Sequence, residues 1–424
     1  MRKLALSLLA ILLLLVVLPC PSKAQQEISA SYTTKVEFPT ALTFSVSAES
    51  SANITQIVLS YKVNIITNVT VITEVEPDFD AAPRVETSWE WDMRRNSLPP
   101  GAEVQYSWRI IDAAGHELET SWATVQFNDD RYHWNSLTEG KVSLFWYKGD
   151  QSFARQLLDA ASETVIKLGN DTGAYLEQAV KIYIYASSTD LRGALVYPEE
   201  WTGGVAYIEY GILAIGIAPD NLAWGKRAMA HELTHLVTYQ MTSNPYSDIP
   251  TWLNEGLSMY AEGDLETSFR SLLDEAISED KLVSVQSLSS NFPADPQEAR
   301  LSYAESYSLV NFLIHSYGRE KMLSLLGVFK QGSSYDDALK EVYGFDTAGL
   351  DDLWRASLGL GPRPSPTSAP QTTPTPTPET GFFGCRGASA ETPHSGTAGF
   401  GALGLLLLPG IGEAIRLRAR RGKR

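Results

Sequence analysis

The alternation of apolar and polar positions predicts a β-rich region at the start of the chain. From residue 26 to about 128, short stretches place apolar and polar side chains alternately between turn residues, which is the period of half-buried strands. Seven such stretches at this spacing predict an immunoglobulin-like β-sandwich over residues 25–128. The predicted strands are 29–37, 41–48, 54–63, 65–74, 84–91, 102–111 and 122–127.

After residue 133 the apolar period changes, and helices become the dominant prediction. Apolar side chains recur at helical spacing from residue 151 to 168 and again from 222 to 240, with strands predicted around them at 142–147, 181–185 and 211–218. The fold class is therefore α+β, with a second domain over residues 129–360 that is mostly helical after residue 222. Its later helices are predicted at 265–278, 304–317, 320–329, 335–343 and 350–358.

Charge and cysteine content exclude several kinds of protein. The 424 residues include 50 acidic and 34 basic side chains, giving a net charge of −16, so nucleic acid is not an expected partner. The two cysteines, Cys20 and Cys385, lie near opposite ends of the chain and cannot build a disulfide framework or a cysteine zinc cluster. Any metal must be held by histidine and carboxylate side chains.

The first 24 residues have the layout of a secretory signal peptide. Arg2 and Lys3 precede an apolar run at 4–18, and small residues lead to a predicted cleavage after Ala24. A lipoprotein signal ending at Cys20 is the alternative. We therefore expect an exported protein.

The last 64 residues predict a stalk followed by a membrane segment. Residues 361–396 begin with a Pro/Thr-rich linker, which cannot bury a core and should run extended. Residues 397–424 contain a short apolar segment and then a basic cluster, the pattern of a stop-transfer anchor with its positive end inside. The tail resembles the C-terminal anchoring and sorting tails of prokaryotic surface proteins. It is either a retained anchor or a processed sorting tail, and Cys385 is either a processing point or a solvated thiol.

The helix predicted at 222–240 contains the motif His231-Glu232-Leu233-Thr234-His235. At 3.6 residues per turn, His231 and His235 lie on one face one turn apart, so both imidazoles can reach a single tetrahedral zinc ion. Glu232 projects beside them as a candidate general base. Two ligands do not complete a site, and a third is needed nearby.

The third candidate ligand is Glu255, in the segment Trp252-Leu253-Asn254-Glu255-Gly256. It follows His235 by 20 residues, and a tight loop can return it to the metal. Two histidines and one carboxylate leave the fourth coordination position for water. With this spacing the chain resembles the gluzincin zinc peptidases of the peptidase MA clan, and the WLNEG segment is similar to the third-ligand motif of the M1 aminopeptidase branch.

The resemblance implies a mechanism and one further residue. A zinc-activated water attacks the peptide carbonyl, Glu232 acts as general base, and a tyrosine that opens a later helix donates a hydrogen bond to the oxyanion. By position that tyrosine is Tyr303, with Tyr307 one turn along as the reserve. The Gly-x-Met-Glu-Asn signature that binds a substrate amino terminus in the M1 branch is absent. Gly203–Val205 and the strand at 211–218 are candidates for the substrate-pairing edge.

The sequence therefore predicts an exported, membrane-tethered zinc metallopeptidase with one zinc ion per chain and a peptide or protein substrate. The alternative is a surface binding or adhesion protein whose peptidase fold has lost activity. The intact set His231, Glu232, His235 and Glu255 favours the enzyme, because decay of a site usually shows first at the base or a ligand. The sequence leaves open the cleavage specificity, the ligand of the sandwich and the oligomeric state.

Overall fold

A computed structural model of the protein describes residues 27–66, 70–95, 97–198 and 203–363. These residues form two compact units. The first contains described residues 27–64, 70–95 and 97–129, and the second contains 65–66, 130–198 and 203–363. The predicted signal peptide, stalk and membrane segment lie outside the described residues, apart from 361–363. Within the described part of the chain, every helix is too short or too polar to span a bilayer.

The first unit is β-rich, as the alternation predicts, and its described strands are all antiparallel. They are β1 (Ile28–Glu37), β2 (Ala41–Val63), β3 (Thr73–Val75), β4 (Ala82–Asp92), β5 (Ala102–Asp112), β6 (Glu117–Glu119) and β7 (Ala123–Phe127).

The long strand β2 belongs to both halves of this sheet. Its first half pairs with β1 and β4, and after a register shift between Glu49 and Ile54 its second half pairs with β5 and β3. The two halves meet through aromatic side chains: the Phe44 ring lies 5.1 Å from Tyr106, and Tyr61 lies 4.9 Å from Trp91. These aromatic contacts contribute to the core of this unit.

Two strand predictions for this unit are wrong. The stretches predicted at 41–48 and 54–63 form one continuous strand, because the residues between them shift the pairing register without leaving the extended conformation. In the stretch predicted at 65–74, the described residues before Thr73 do not form a strand. Val71 and Ile72 are 64% and 53% exposed, and the Ile66 amide donates to Glu209 O at 2.7 Å. The apolar alternation there does not mark a buried face.

The second unit contains a mixed sheet. Its described strands are β8 (Asn135–Glu139), β9 (Val142–Trp146), β10 (Val180–Tyr185), β11 (Gly204–Tyr207) and β12 (Ile212–Gly216). They lie in the order β11-β12-β10-β9-β8. Strands β9, β10 and β12 are parallel, whereas β8 pairs antiparallel with β9 and β11 pairs antiparallel with β12 at the other edge.

The described helices of this unit confirm the prediction that it is mostly helical after residue 222. They are α1 (Gln151–Thr172), α2 (Ser188–Arg192), α3 (Leu222–Thr242), α4 (Thr251–Ala261), α5 (Thr267–Ser278), α6 (Val285–Leu288), α7 (Pro296–Tyr317), α8 (Arg319–Lys330), α9 (Tyr335–Tyr343) and α10 (Thr347–Ser357).

Local signals in the sequence set the ends of helix α1. The Asp150 side chain accepts from the Phe153 amide at 2.8 Å at its start, and Gly173, with φ +77°, ends it. Its apolar stripe, including Phe153 and Leu157, is buried in the core shared with β9 and α3. This packing fixes α3, the helix that carries the HExxH motif, against the sheet.

Candidate metal centre

Helices α3 and α4 bring three predicted ligands together in the interior. His231, His235 and Glu255 each offer one ligand atom, and these atoms all lie within 4.8 Å of one another. Glu255 Oε2 is 3.3 Å from His231 Nε2 and 3.6 Å from His235 Nε2. All three residues are at most 3% exposed. The structure therefore groups two imidazoles and one carboxylate around one point, as the sequence spacing predicts.

The carboxylates around this point set its charge. Burial lowers the pKa of His231, but the neighbouring carboxylates of Glu255 and Glu262 outweigh it and raise the pKa to about 10. Burial would raise the pKa of Glu255, but the charges of His235 and His231 lower it. At His235 burial prevails and the pKa is lowered. The pocket thus favours an ionised carboxylate together with positive charge, and a divalent cation would supply that charge.

The outer nitrogens of both imidazoles are held by polar side chains. His231 Nδ1 donates to Glu262 Oε1 at 2.7 Å. His235 Nδ1 lies 3.1 Å from Asn254 Oδ1 and 3.2 Å from Ser258 Oγ. Such bonds fix the ring orientation and leave Nε2 of each imidazole facing the shared point, which is the usual arrangement around a histidine metal ligand.

Glu232 lies beside the three candidate ligands without a hydrogen-bond partner. It is 1% exposed, and neither carboxylate oxygen is hydrogen-bonded within the described part of the chain. Burial raises the pKa of Glu232 to about 7, against the lowering effect of His231. A Cβ atom placed on Gly204, in the edge strand β11, would come within 3.3 Å of Glu232 Oε1. The strand backbone therefore runs directly past this carboxylate.

A family comparison agrees with this geometry. The family model described as the peptidase MA superfamily matches residues 160–359, which include every residue of the site. Residues 160–359 are therefore similar to the peptidase MA superfamily and are called the peptidase MA segment below. The resemblance inferred from HExxH and WLNEG is confirmed at that level. A search among curated proteins finds no match to the chain.

Solved structures similar to the chain include a zinc metallopeptidase, an aminopeptidase A and an aminopeptidase N family protein. A mutant of the M1 zinc metallopeptidase from Deinococcus radiodurans, bound to a Tyr-Ser-Ala substrate, is 12% identical with a TM-score of 0.34, over 83% of this chain and 98% of that one. Aminopeptidase A from Legionella pneumophila, in complex with aspartic acid, is 9% identical with a TM-score of 0.33, over 80% and 50%. An aminopeptidase N family protein from Idiomarina loihiensis is 10% identical with a TM-score of 0.27, over 78% and 72%.

Within the peptidase MA segment, Tyr303 faces the site from helix α7. Its ring lies 6.3 Å from that of His231 and 5.1 Å from that of Phe292. Burial, and then the charges of Glu255, Glu232 and Glu262, raise the pKa of Tyr303 far above its usual value. The hydroxyl therefore keeps its proton and is available as a hydrogen-bond donor.

The prediction that Tyr303 opens its helix is wrong, because α7 begins seven residues earlier. Asp295 accepts from the amides of Gln297 and Glu298 at 2.9 and 3.0 Å, and Pro296 occupies the first turn. Tyr303 consequently lies in the second turn of α7. The reserve candidate Tyr307 lies near Tyr260, with ring centroids 6.3 Å apart, so Tyr303 is the one of the two whose ring contacts that of a candidate ligand.

Gly256, the last residue of the WLNEG segment, sets the distance between α4 and α7. A Cβ atom there would lie 2.4 Å from Ser306 O and 2.6 Å from a methyl carbon of Val310. The backbone of α4 at Gly256 therefore lies close to the backbone of α7 at Ser306, directly after Glu255. This approach requires a residue without a side chain at position 256.

The residue that sequence reasoning missed is Glu262, which holds His231. It follows Glu255 by seven residues, two helical turns, so it shares a face with the ligand, and this spacing could have identified it. Asn254, the residue before Glu255, contacts His235 as described above. Of the remaining histidines, His116, His133 and His315 lie outside the cluster, and His394 lies outside the described residues.

Proposed function

We propose that the peptidase MA segment is a zinc-dependent peptidase. The observation that carries this proposal is the set of buried, unbonded polar atoms at one point: His231 Nε2, Glu255 Oε2 and both carboxylate oxygens of Glu232 lack hydrogen-bond partners among the described residues. Leaving such atoms unsatisfied costs free energy of folding, so a fold that keeps them is expected to fill the space with a ligand.

The donor set fits zinc. Two imidazole nitrogens and one carboxylate oxygen are the protein ligands of a catalytic zinc site, which keeps its fourth position open, and cysteine ligands are missing from the described cluster. When bound, zinc supplies a Lewis acid that polarises the substrate carbonyl and lowers the pKa of water. His231, His235 and Glu255 would hold it.

The remaining chemistry belongs to two side chains of this protein. Glu232 accepts the proton of the attacking water at its unbonded carboxylate and returns that proton to the departing amine. Tyr303 donates its hydroxyl hydrogen to the oxygen that gains negative charge. Because that charge is larger in the transition state than in the bound substrate, this hydrogen bond accelerates the reaction.

The edge strand β11 is the proposed place for the substrate backbone. Among the described residues it pairs with β12 on one side only, and it contains Gly204 and Val205 of the predicted edge. A Cβ atom added to Gly204 would lie 3.3 Å from Glu232 Oε1, so the strand runs close to this carboxylate. An extended peptide added to such an edge would present its carbonyl groups near the site. This placement favours peptides over folded protein surfaces as substrates, and it leaves exo- and endopeptidase activity open.

Export and tethering are proposed from the sequence alone. The signal-like first 24 residues, the Pro/Thr-rich linker and the apolar segment with its basic cluster support an enzyme held outside the cell by its C-terminal segment. The antiparallel strands of the first unit support an immunoglobulin-like sandwich as its fold. Fractionation of cells that express the full chain would test the location.

The test of function is metal content together with cleavage. The purified protein should bind close to one zinc ion per chain and cleave a peptide library, and a chelator should abolish cleavage that added zinc restores. Zinc binding without cleavage would favour the alternative, a surface binding protein on a peptidase scaffold. Cleavage that persists after complete metal removal would exclude the proposed mechanism.

A further inference from the structure

Arg227 is connected to His231 through the side chain of Glu262. Arg227 lies on α3 one turn before His231, and its guanidinium extends to the segment 262–266 that connects α4 to α5. Arg227 Nη2 is 3.1 Å from Glu262 Oε2, and Nε is 3.3 Å from Glu266 Oε1. Nη1 donates to Asp264 O at 3.4 Å. Arg227 therefore holds this connection at three points.

Glu262 is shared between Arg227 and His231. Its Oε2 pairs with Arg227, while its Oε1 accepts from His231 Nδ1 at 2.7 Å. The Glu262 side chain is 7% exposed, so water cannot easily replace either partner. Glu262, Asp264 and Glu266 also repel one another along five residues, and Arg227 is the cation that contacts all three residues.

We propose that Arg227 is a positioning residue for the zinc site, acting on His231 through Glu262. By occupying Oε2, it orients the carboxylate so that Oε1 faces His231 Nδ1, and the ring then directs Nε2 toward Glu255. This inference rests on the proposed zinc site. Loss of an outer-layer partner typically weakens metal binding by about 10- to 100-fold.

The shape of the guanidinium explains why arginine occupies this position. A planar fork can reach two carboxylates and a carbonyl at once, whereas a lysine ammonium on a flexible stem can hold only part of this set. Arg227→Lys should therefore keep part of the zinc affinity that Arg227 supports, and Arg227→Gln should lose all of that contribution.

The experiment measures zinc affinity of the full chain by competition with a chromophoric chelator. We expect Arg227→Gln and Glu262→Gln each to raise the zinc dissociation constant by about 10-fold or more. The double variant Arg227→Gln/Glu262→Gln should bind zinc no more weakly than Glu262→Gln alone, because Arg227 acts through the Glu262 carboxylate. Arg155→Gln is the matched control: Arg155 lies on α1 and pairs with Glu139 at 3.0 Å on the surface, so its loss should leave zinc affinity unchanged.

A second readout separates positioning from general stability. Without metal, the unfolding midpoints of Arg227→Lys and Arg227→Gln should fall no more than that of the double variant Arg227→Gln/Glu262→Gln. Arg227→Lys should bind zinc more tightly than Arg227→Gln. Wild-type zinc affinity in Arg227→Gln, or effects that add fully in the double variant, would overturn the proposal. Failure of the proposed function would give a different result. The wild-type protein would then lack peptidase activity, while the zinc affinities of the variants would still follow the expected order.

Discussion

Two buried carboxylates, one in each unit, have opposite surroundings. Asp112 of the β-rich unit accepts from the Ser50 hydroxyl at 2.6 Å, from the His116 ring at 2.9 Å, and from the amides of Ala114 and His116. Glu232 of the second unit is equally buried, yet neither of its oxygens has a hydrogen-bond partner among the described residues.

This difference in hydrogen bonding indicates different roles for the two carboxylates. A buried carboxylate with four donors stabilises the chain around it, because each charged hydrogen bond is stronger than a neutral one. A buried carboxylate without donors costs free energy of folding and persists where chemistry needs it. Removing each charge should therefore have opposite effects on stability and activity.

The largest expected effect is on turnover in Glu232→Gln. The amide keeps the size of the side chain but cannot accept a proton, so kcat/KM on peptides should fall by about 10²- to 10⁴-fold. Zinc content should be unchanged, and the unfolding midpoint should be unchanged or higher, because a neutral amide costs less to bury.

His231→Ala and Glu255→Ala are the controls for this variant, since both should lose the metal itself. Zinc content, peptide cleavage and thermal unfolding measured on the same preparations distinguish the two kinds of loss. A Glu232→Gln protein with normal turnover would end its assignment as general base.

The zinc site shows how far sequence alone can reach. His231 and His235 follow from helical spacing, and Glu255 from a motif placed where a short loop can return it, so local geometry predicts all three. The spacing of Glu262 from Glu255 could have placed it on the ligand face, but its contact with His231 spans 31 residues. That contact depends on how α3 and the end of α4 pack, which the sequence pattern does not specify.

Element boundaries failed for related reasons. Asp295-Pro296 is a strong helix-start signal in the sequence, yet the absence of an apolar stripe in the next residues hid the first two turns of α7. In β2, a register shift within one strand has the same sequence pattern as a turn between two strands. Both errors concern where an element ends, which depends on backbone partners rather than on periodicity.

The next largest effect is expected from Tyr303→Phe. Loss of one oxyanion donor should lower kcat by about 10²- to 10³-fold and leave zinc affinity unchanged. Tyr307→Phe is the matched control on the same helix, and it should retain most of the activity because its ring lies by Tyr260 rather than by His231. Equal losses in the two variants would contradict the assignment of Tyr303.

A third carboxylate, Glu305, is intermediate between the two kinds of site. It is fully buried on α7, and its oxygens accept from the Val283 amide at 3.1 and 3.2 Å. Burial raises the pKa of Glu305 to about 8, although the Val283 amide and Arg363 oppose the shift. The folded protein therefore keeps this proton at pH values where the unfolded chain has lost it.

The sign of the pH effect follows from this difference. Between the unfolded pKa, near 4.5, and about 8, the folded state binds the extra proton, so the free energy of unfolding falls as pH rises, by up to about 1.4 kcal/mol per pH unit. Glu305→Gln removes this slope and should be more stable than the wild type at pH 8. Denaturant unfolding at pH 5 and pH 8 tests it, and a constant difference between the two proteins would contradict the shift.

The smallest expected effect is that of Asp112→Asn, which completes the comparison with Glu232. The Ser50 hydroxyl and the His116 bonds lower the pKa of Asp112 well below its usual range, against the effect of burial. The carboxylate therefore stabilises the folded chain above the unfolded pKa, near 3.8, and this contribution is lost as pH falls through the folded pKa. The side-chain oxygen of an asparagine can still accept hydrogen bonds from the amides of Ala114 and His116, so only part of the stability is lost.

In Asp112→Asn the unfolding midpoint at pH 7 should fall below that of the wild type, and this difference should shrink toward pH 3. Peptide cleavage at temperatures below the midpoint should match the wild type. Reduced cleavage by a fully folded Asp112→Asn protein would contradict the assignment of stability to Asp112 and of catalysis to Glu232.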